Sequence, residues 1–259
     1  MRANFTIVSL RLAVMNLHCR RISSCPSCSS WSDYSPIEVN SLDFRRACDI
    51  GTLRRAFPLP PELFRRIDES NDADFYTEPR LVTHIDDATI AALTQVYREL
   101  LPPGGAILDL MTSWISHLPP EVAYTRVAGL GMNRVELEHN ARLTDSIVQD
   151  LNATPELPYP DATFDAVVNA VSIQYLTRPV EVYASVRRVL KPGGLALIAT
   201  SHRCFPTKAI LAWHSLAPPQ RMRVIQLYFE RAGGFAPAEL IDRSPPGADP
   251  LWILTARRT

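Results

Sequence analysis

The sequence lacks several features that would assign a chain to a broad class at once. Its 27 basic and 27 acidic residues cancel, so no basic field points to nucleic acid and no acidic excess points to disorder. No uninterrupted apolar run reaches the length of about eighteen residues that suggests a membrane-spanning helix. Lysine is scarce, since only Lys191 and Lys208 occur. We therefore expect a soluble chain without a nucleic-acid or membrane partner.

Acidic residues are also absent before Asp33, in a segment that contains several arginines and many serines. This composition is typical of an organellar transit peptide, which would place the protein in a plastid or mitochondrion. Without such a peptide we expect a cytoplasmic protein. A disordered leader, or a start at Met15 instead of Met1, accounts for the same composition.

Cysteine is concentrated in the same segment, where Cys25 and Cys28 have the two-residue spacing of half a zinc site. A second pair and a histidine at zinc-finger spacing are both missing. Cys204 stands alone later in the chain, which favours a packed thiol over a nucleophile. We therefore expect no metal site.

What the sequence does contain is a long region of regular patterns behind an irregular start. Residues 1–57 show no sustained periodicity and are interpreted as a leader and linker. Residues 58–105 begin irregularly and continue into a helix from about Asp86 to Leu100, where apolar residues recur at helical spacing. Residues 106–259 are predicted to form the main domain.

Apolar strand patterns and helical patterns alternate through this main domain. Strands are predicted at 106–111, 125–132, 146–151, 164–172 and 194–201, and helices at 134–141, 179–190, 206–216 and 219–232. Strand, helix and strand in succession indicate crossover connections and a parallel sheet. The last strands, 238–244 and 251–258, are joined by a short turn that permits only antiparallel pairing. The predicted fold class is α/β, a doubly wound, mostly parallel seven-stranded sheet that ends in an antiparallel hairpin.

The second half of the chain contains recognisable sequence motifs. The acid after the third strand, the loop LPYPD, the strand start FDAVV and the motif RVLKPGG all fall within residues 150–201. This segment resembles the class I S-adenosylmethionine-dependent methyltransferases of type 11. The resemblance covers roughly residues 86–258 and implies a Rossmann-like sheet, S-adenosylmethionine as cofactor and methylation of a small molecule.

The first cofactor loop of that family departs from its pattern in this chain. Asp109 matches the family's acid at the end of the first strand. Met111, Ser113 and Ile115 replace three glycines, which the family uses for close backbone approach and positive φ. The resemblance implies that this loop holds the methionine part of the cofactor, so the three side chains must widen the loop, fill the pocket or abolish it.

The second loop departs too, whereas the third is intact. Gly131 stands where the family has an acid for the ribose hydroxyls, and Asn133 stands where it has a serine. Asn133 or Glu136 could reach the ribose instead, although Asn133 is also a good helix cap. In the third loop, Asp150 followed by Leu151 matches the family acid that accepts from the adenine amine.

Both departures look like the signature of a subset rather than decay in one chain. The segments FYTEPRLVTHID (75–86), DLMTSWISHLP (109–119) and CFPTKAI (204–210) resemble a subset of methyltransferase-like proteins that has DLMxSWxSHLP in place of the glycine-rich motif. What this subset acts on does not follow from the resemblance.

Catalytic residues are less clearly marked. Methyl transfer from a sulfonium is an in-line displacement, which depends mainly on positioning, so a dedicated base is optional. Tyr76, His84 and His202 are the candidates near the predicted mouth of the site, and either histidine could accept a proton from a hydroxyl substrate. Further polar and aromatic residues predicted there are Arg80, Trp114, His117, Tyr175 and Lys208.

Three functions are compatible with these patterns to different degrees. The family match and Asp150 favour a small-molecule methyltransferase. The two altered loops favour a non-catalytic relative that binds a different ligand or a protein partner. A nicotinamide-dependent reductase is excluded, because G-x-G-x-x-G does not follow the first strand. An open cavity above Asp109 and Asp150 would favour the enzyme, and a closed one would favour the binding protein.

Overall fold

The structure, a computed structural model, describes residues 59–259. The leader and linker predicted at residues 1–57, the transit-peptide interpretation and the Cys25–Cys28 spacing lie outside the described residues. In the described part, the α-helices are α1 (Asp72–Phe75), α2 (Asp87–Leu100), α3 (Arg134–His139), α4 (Pro179–Val189), α5 (Leu211–Ser215) and α6 (Pro218–Ala232). Short 3-10 helices span Pro61–Phe64 and Ile173–Tyr175. None of the helices within residues 59–259 has the length and apolar character needed to cross a bilayer.

Seven strands form one sheet in the order β3-β2-β1-β4-β5-β7-β6. Their bounds are β1 (Ala106–Leu110), β2 (Arg126–Gly131), β3 (Asp145–Val148), β4 (Phe164–Ala170), β5 (Leu190–Thr200), β6 (Glu239–Asp242) and β7 (Trp252–Arg257). The first five strands are parallel, and β7 pairs antiparallel with both β5 and β6. The predicted fold class, including the terminal hairpin, is confirmed. Strand order reverses between β1 and β4, and open α/β sheets bind ligands beyond the carboxyl ends of the strands at such a point.

Hydrophobic residues of the central strands are buried on both faces of the sheet. Along β1, Ile107 packs in one core cluster with Leu93 of α2, whereas Leu108 packs in the other with Val182 of α4. This alternation follows from the two-residue period of a strand. Helices therefore cover both faces, which leaves the ends of the parallel strands as the place for a ligand.

Asp165 fixes the start of two neighbouring strands, β1 and β4. Its carboxylate accepts a hydrogen bond from the backbone N of Ala106 at 2.8 Å and pairs with Nζ of Lys191 at 2.8 Å. The KPGG motif lies within β5 itself, directly after α4 ends at Val189. The motif is thus architectural.

Several predicted elements are shorter in the structure, and two of them have a clear cause. β3 ends at Val148 instead of residue 151, because the chain turns where the Asp150 carboxylate accepts from the backbone N of Asn152 at 2.8 Å. The helix predicted at 206–216 is reduced to α5. Lys208 is fully buried within that stretch and pairs with distant acids, so tertiary contacts set the local backbone.

Candidate functional site

A cavity lies where the strand order reverses, and it encloses about 1140 Å³ of empty space, part of it open to solvent. Six residues predicted to bind the cofactor line it, namely Asp109, Met111, Ser113, Gly131, Asp150 and Leu151. Tyr76 and His84 also line it. The other two predicted site residues, Asn133 and His202, are not part of the lining. The cavity is open, which is the outcome that favours the enzyme.

Met111 keeps the first loop in a glycine-like shape although it is not glycine. Its φ is +57°, in the left-handed region that L residues enter at a cost of roughly 1–2 kcal/mol. The side chain packs against the core cluster beside β1 and borders the cavity without closing it. The loop is tied to β2 by a hydrogen bond from the backbone N of Thr112 to the carbonyl of Leu130 at 2.9 Å. The missing glycine therefore changes the side chain at this position but not the left-handed backbone.

Asp109 lies at the floor of the cavity, where it is 2% exposed. Burial raises the pKa of its carboxyl to about 7, although hydrogen bonds from Ser116 and Thr112 act in the opposite direction. The hydroxyl of Thr112 donates to the Asp109 carboxylate at 2.6 Å. Asp109 thus anchors the turn that Met111 begins.

Gly131 ends β2 directly beneath this loop. A Cβ atom built there would lie 2.3 Å from the carbonyl oxygen of Thr112, which is backbone and cannot swing away. A side chain at position 131 is therefore sterically excluded in this arrangement. The absence of the family's ribose acid follows from the close approach of the first loop to β2.

Glu136 places a carboxylate near Gly131, where the family's acid is absent. It lies in α3, is 8% exposed and lines the cavity. One carboxylate oxygen accepts from the hydroxyl of Ser113 at 2.6 Å, and the other accepts from the backbone N of Arg80 at 2.7 Å. Ser113, at a family glycine position, thus holds an acid that comes from the following helix.

Asn133 has the role of a helix cap. Its side-chain oxygen accepts from the backbone N of Glu136 at 3.1 Å. Its amide nitrogen donates to the carbonyls of Tyr76 and Thr77 at 2.9 and 3.0 Å. These bonds fix the start of α3 and hold residues 76 and 77 against it. In the structure, Asn133 is therefore a helix cap.

The third loop contributes Asp150 and Leu151 to the cavity. Beside them, the Asn152 amide nitrogen donates to the Asp72 carboxylate at 2.8 Å and to the carbonyl of Tyr175 at 3.0 Å, and its oxygen accepts from the backbone N of Thr177 at 2.8 Å. A side chain with this many partners gives the loop one fixed shape. Asp150 is consequently held at the cavity edge by a rigid turn.

Comparison with known proteins finds a match to part of the main domain. The model of a methyltransferase domain family, type 11, matches residues 115–198, from the end of the first loop into β5. This stretch of the chain is similar to the type 11 methyltransferase domain.

Individual proteins are similar to this chain over limited stretches. A probable S-adenosylmethionine-dependent methyltransferase of Mycolicibacterium smegmatis is 37% identical over 79 residues, 30% of either chain. A ubiquinone/menaquinone biosynthesis C-methyltransferase of Ruegeria is 38% identical over 68 residues, 26% of either chain. The matches thus span less than a third of these relatives' length. A crystal structure of an S-adenosylmethionine-dependent methyltransferase from Mesorhizobium loti superposes with a TM-score of 0.48 at 18% identity, over 65% of this chain and 98% of the other.

The cavity is walled on one side by residues 72–85, which we call the N-terminal wall. Rings of this wall contact Phe205, which follows β5: the centroids of Phe75 and His84 lie 5.6 and 5.4 Å from that of Phe205. Tyr175 stacks on the same ring at 5.8 Å. The guanidinium of Arg80 lies 4.4 Å from the centroid of Phe75. Aromatic surface thus borders the side of the cavity opposite the sheet.

A buried ionic cluster anchors this wall. Asp72 accepts two hydrogen bonds from the Arg66 guanidinium at 2.7 and 2.8 Å, and lies 3.2 Å from Nζ of Lys208. Lys208 also pairs with Asp68 at 3.2 Å and donates to the carbonyl of Ser70 at 2.8 Å. The positive and negative charges of the cluster are balanced, which offsets the cost of burying them.

Two neutral histidines, His84 and His117, border the cavity. Burial, and secondarily the nearby His84, lowers the pKa of His117 to about 4. Burial likewise lowers the pKa of His84. Nδ1 of His117 is buried and has no hydrogen-bond partner among the described residues. Both imidazoles are therefore unprotonated at neutral pH, and a pKa of about 4 makes His117 a weak proton acceptor.

The third candidate base lies elsewhere. Nε2 of His202 is 3.3 Å from the Asp249 carboxylate, which also pairs with Arg203 at 3.0 Å. This group links the end of β5 to the turn before β7. Cys204, next in the chain, is partly buried, and burial raises the pKa of its thiol to about 11, as expected of a packed thiol.

Sequence reasoning missed some of the residues that shape the cavity. Asp72 and Phe205 both line it, and neither was a predicted site residue. The partners of Asp72 are Arg66, Asn152 and Lys208, which are scattered along the chain. No local pattern brings these residues together, so only the folded structure reveals them.

Proposed function

We propose that this chain is an S-adenosylmethionine-dependent methyltransferase that acts on a small molecule. The observation that carries the proposal is the open cavity at the switch point of the sheet, in which the first loop keeps a left-handed backbone at Met111. A loop collapsed onto β2 would leave no room for a ligand. The family match over residues 115–198 supports the same function.

The cofactor's three parts fit three parts of the cavity wall. The methionine part would lie against the loop from Asp109 to Ser113, and the adenine against Asp150 and Leu151. A carboxylate offers about four acceptor positions, so the bond from the backbone N of Asn152 leaves Asp150 free to accept from the adenine amine. The ribose then lies between them, above Gly131.

The methyl acceptor would occupy the space under the N-terminal wall. The rings of Tyr76 and Phe205 border this space and limit the access of water, while the fixed walls align the acceptor with the methyl group. His84 borders the same cavity and can take the proton released by a hydroxyl acceptor. The chemistry required of the protein is thus mainly positioning.

Calorimetric titration of the purified full chain tests this function. We expect measurable heat and a raised melting temperature with S-adenosylmethionine and with S-adenosylhomocysteine. If neither effect is observed at millimolar ligand, the proposal is wrong. The chain would then be a non-catalytic relative that binds a different ligand or a protein partner.

The adenine position has its own test in Asp150→Ala. We expect S-adenosylhomocysteine to bind at least tenfold more weakly, on the order of 1.4 kcal/mol or more, because the adenine amine loses its acceptor. Asp161→Ala is the matched control, since Asp161 is an exposed acid outside the cavity. Equal affinities of the wild type and Asp150→Ala would place the adenine elsewhere.

A further inference from the structure

The ribose presents the clearest unmet requirement in this cavity. A ribose has two neighbouring hydroxyls, and a carboxylate with two oxygens is well suited to accept from both. Gly131 cannot supply one, and a longer residue at that position would collide with the carbonyl of Thr112. If the cavity binds a nucleoside, its acceptor for these hydroxyls must come from another element.

Four acidic side chains line the cavity, and three have other tasks. Asp72 is engaged with two cations and the Asn152 amide. Asp109 is held at the floor by the Thr112 hydroxyl, and Asp150 lies in the third loop, on the other side of Gly131 from the first loop. The remaining acid is Glu136.

We propose that the Glu136 carboxylate binds the ribose hydroxyls of the cofactor, an inference that rests on the proposed methyltransferase function. Glu136 is one helical turn beyond the end of β2, and Asn133 caps that turn and fixes it. Its carboxylate is oriented from both sides, by the Ser113 hydroxyl and by the backbone N of Arg80. The acid reaches the cavity from α3, not from the strand end.

The carboxylate has the capacity for this task while keeping its present partners. Two of its roughly four acceptor positions are used by Ser113 and Arg80, and two remain for the two hydroxyls. This role also explains why Ser113 replaces a glycine, because glycine has no hydroxyl to donate to the Glu136 carboxylate. The altered first and second loops are then two halves of one rearrangement.

Titration of the full chain with S-adenosylhomocysteine tests the role of Glu136. We expect Glu136→Gln to weaken binding at least tenfold. A glutamine amide has only one acceptor oxygen, and its NH₂ group donates where the carboxylate accepted. The control is Glu138→Gln, a solvent-exposed acid on the same helix, for which we expect no change. Melting temperatures of the variants confirm that each is folded.

A second measurement reports on the hydroxyls themselves. The wild type is titrated with adenosine and with 2′,3′-dideoxyadenosine, and we expect it to bind adenosine at least tenfold more tightly. Glu136→Gln should lose most of this preference, which a purely structural role for Glu136 would not change. Glu136→Asp, shorter by one methylene, serves in the same assay if Glu136→Gln does not fold.

The outcomes separate this inference from the proposed function. If the wild type binds S-adenosylhomocysteine and Glu136→Gln binds it equally well, the inference is wrong and the methyltransferase stands. An equal preference for adenosine in both proteins overturns it as well. If the wild type binds neither S-adenosylhomocysteine nor adenosine, the proposed function fails together with the inference.

Discussion

Residue 131 shows how one backbone contact controls which side chains a site can use. A Cβ on residue 131 would lie 2.3 Å from the carbonyl oxygen of Thr112. Restoring the family's acid with Gly131→Asp should therefore fail to improve S-adenosylhomocysteine binding. We expect it to lower the free energy of unfolding by about 1–3 kcal/mol, the usual cost of overpacking, as measured by chemical denaturation.

The matched control is Gly247→Asp. Gly247 has φ +74° and nothing within 4 Å of a built Cβ, and aspartate tolerates the left-handed region better than most residues. We expect a smaller loss of stability there. A stable Gly131→Asp protein with tighter cofactor binding would show that the first loop moves aside easily, contrary to the close packing described above.

His117 makes a second prediction at this scale, which concerns pH. Burial lowers the pKa of His117 to about 4, whereas the unfolded chain titrates near 6.5. Between these values the unfolded state binds more protons, so stability is full above pH 6.5 and falls as the pH drops towards 4. The loss attributable to this group is up to about 3 kcal/mol.

His117→Asn should make stability less dependent on pH in this window, as measured by denaturation at several pH values. Asparagine suits the site because φ of residue 117 is +54°, in the left-handed region that asparagine accepts. The exposed His139 provides the control His139→Asn. Asp109 contributes a pH dependence of stability of the opposite sign, because its pKa is raised. This contribution is the same in the wild type, His117→Asn and His139→Asn. Identical pH profiles for the wild type and His117→Asn would contradict the assignment.

At the scale of elements, the N-terminal wall depends on one buried lysine. Lys208 is fully buried and pairs with Asp68 and Asp72. We expect Lys208→Ala to lower the free energy of unfolding by about 3–5 kcal/mol, because it removes one cation from a buried ionic cluster and leaves Asp72 with Arg66 and Asn152. Chemical denaturation measures this loss.

The chain's other lysine is the natural control. Lys191 pairs with Asp165 across a gap of 2.8 Å, but its side chain is 43% exposed. An exposed pair of this kind contributes about 0–1 kcal/mol, so Lys191→Ala should have a small effect. Similar losses for the two variants would mean that the ionic cluster does not anchor the wall.

Elements with strong local patterns were predictable, and elements fixed by distant partners were not. The prediction of α2 from Asp86 to Leu100 agrees with the structure within one residue at its start, because its apolar spacing and its Asp86 cap are local signals. The segment 206–216 carries an equally helical composition. Lys208 overrides that local preference, since its partners lie in residues 68–72.

At the scale of the whole molecule, the alternation of strands and helices sufficed to predict a parallel sheet with a terminal hairpin. The openness of the cavity could not be predicted in the same way. It depends on the left-handed backbone at Met111, and a methionine in that conformation leaves no trace in a sequence pattern. The ionic cluster and the contact between Thr112 and Gly131 likewise exist only after the chain has folded.

The carboxylate of Glu136 joins parts of the chain that are 56 residues apart, since it accepts from the backbone of Arg80 in the N-terminal wall and from Ser113 in the first loop. A ligand bound at this carboxylate is thermodynamically linked to the wall's attachment. If attachment of the wall raises the affinity for the ligand by some factor, the bound ligand raises the equilibrium constant for attachment by the same factor. A ligand bound at Glu136 would then strengthen the attachment of the N-terminal wall to α3.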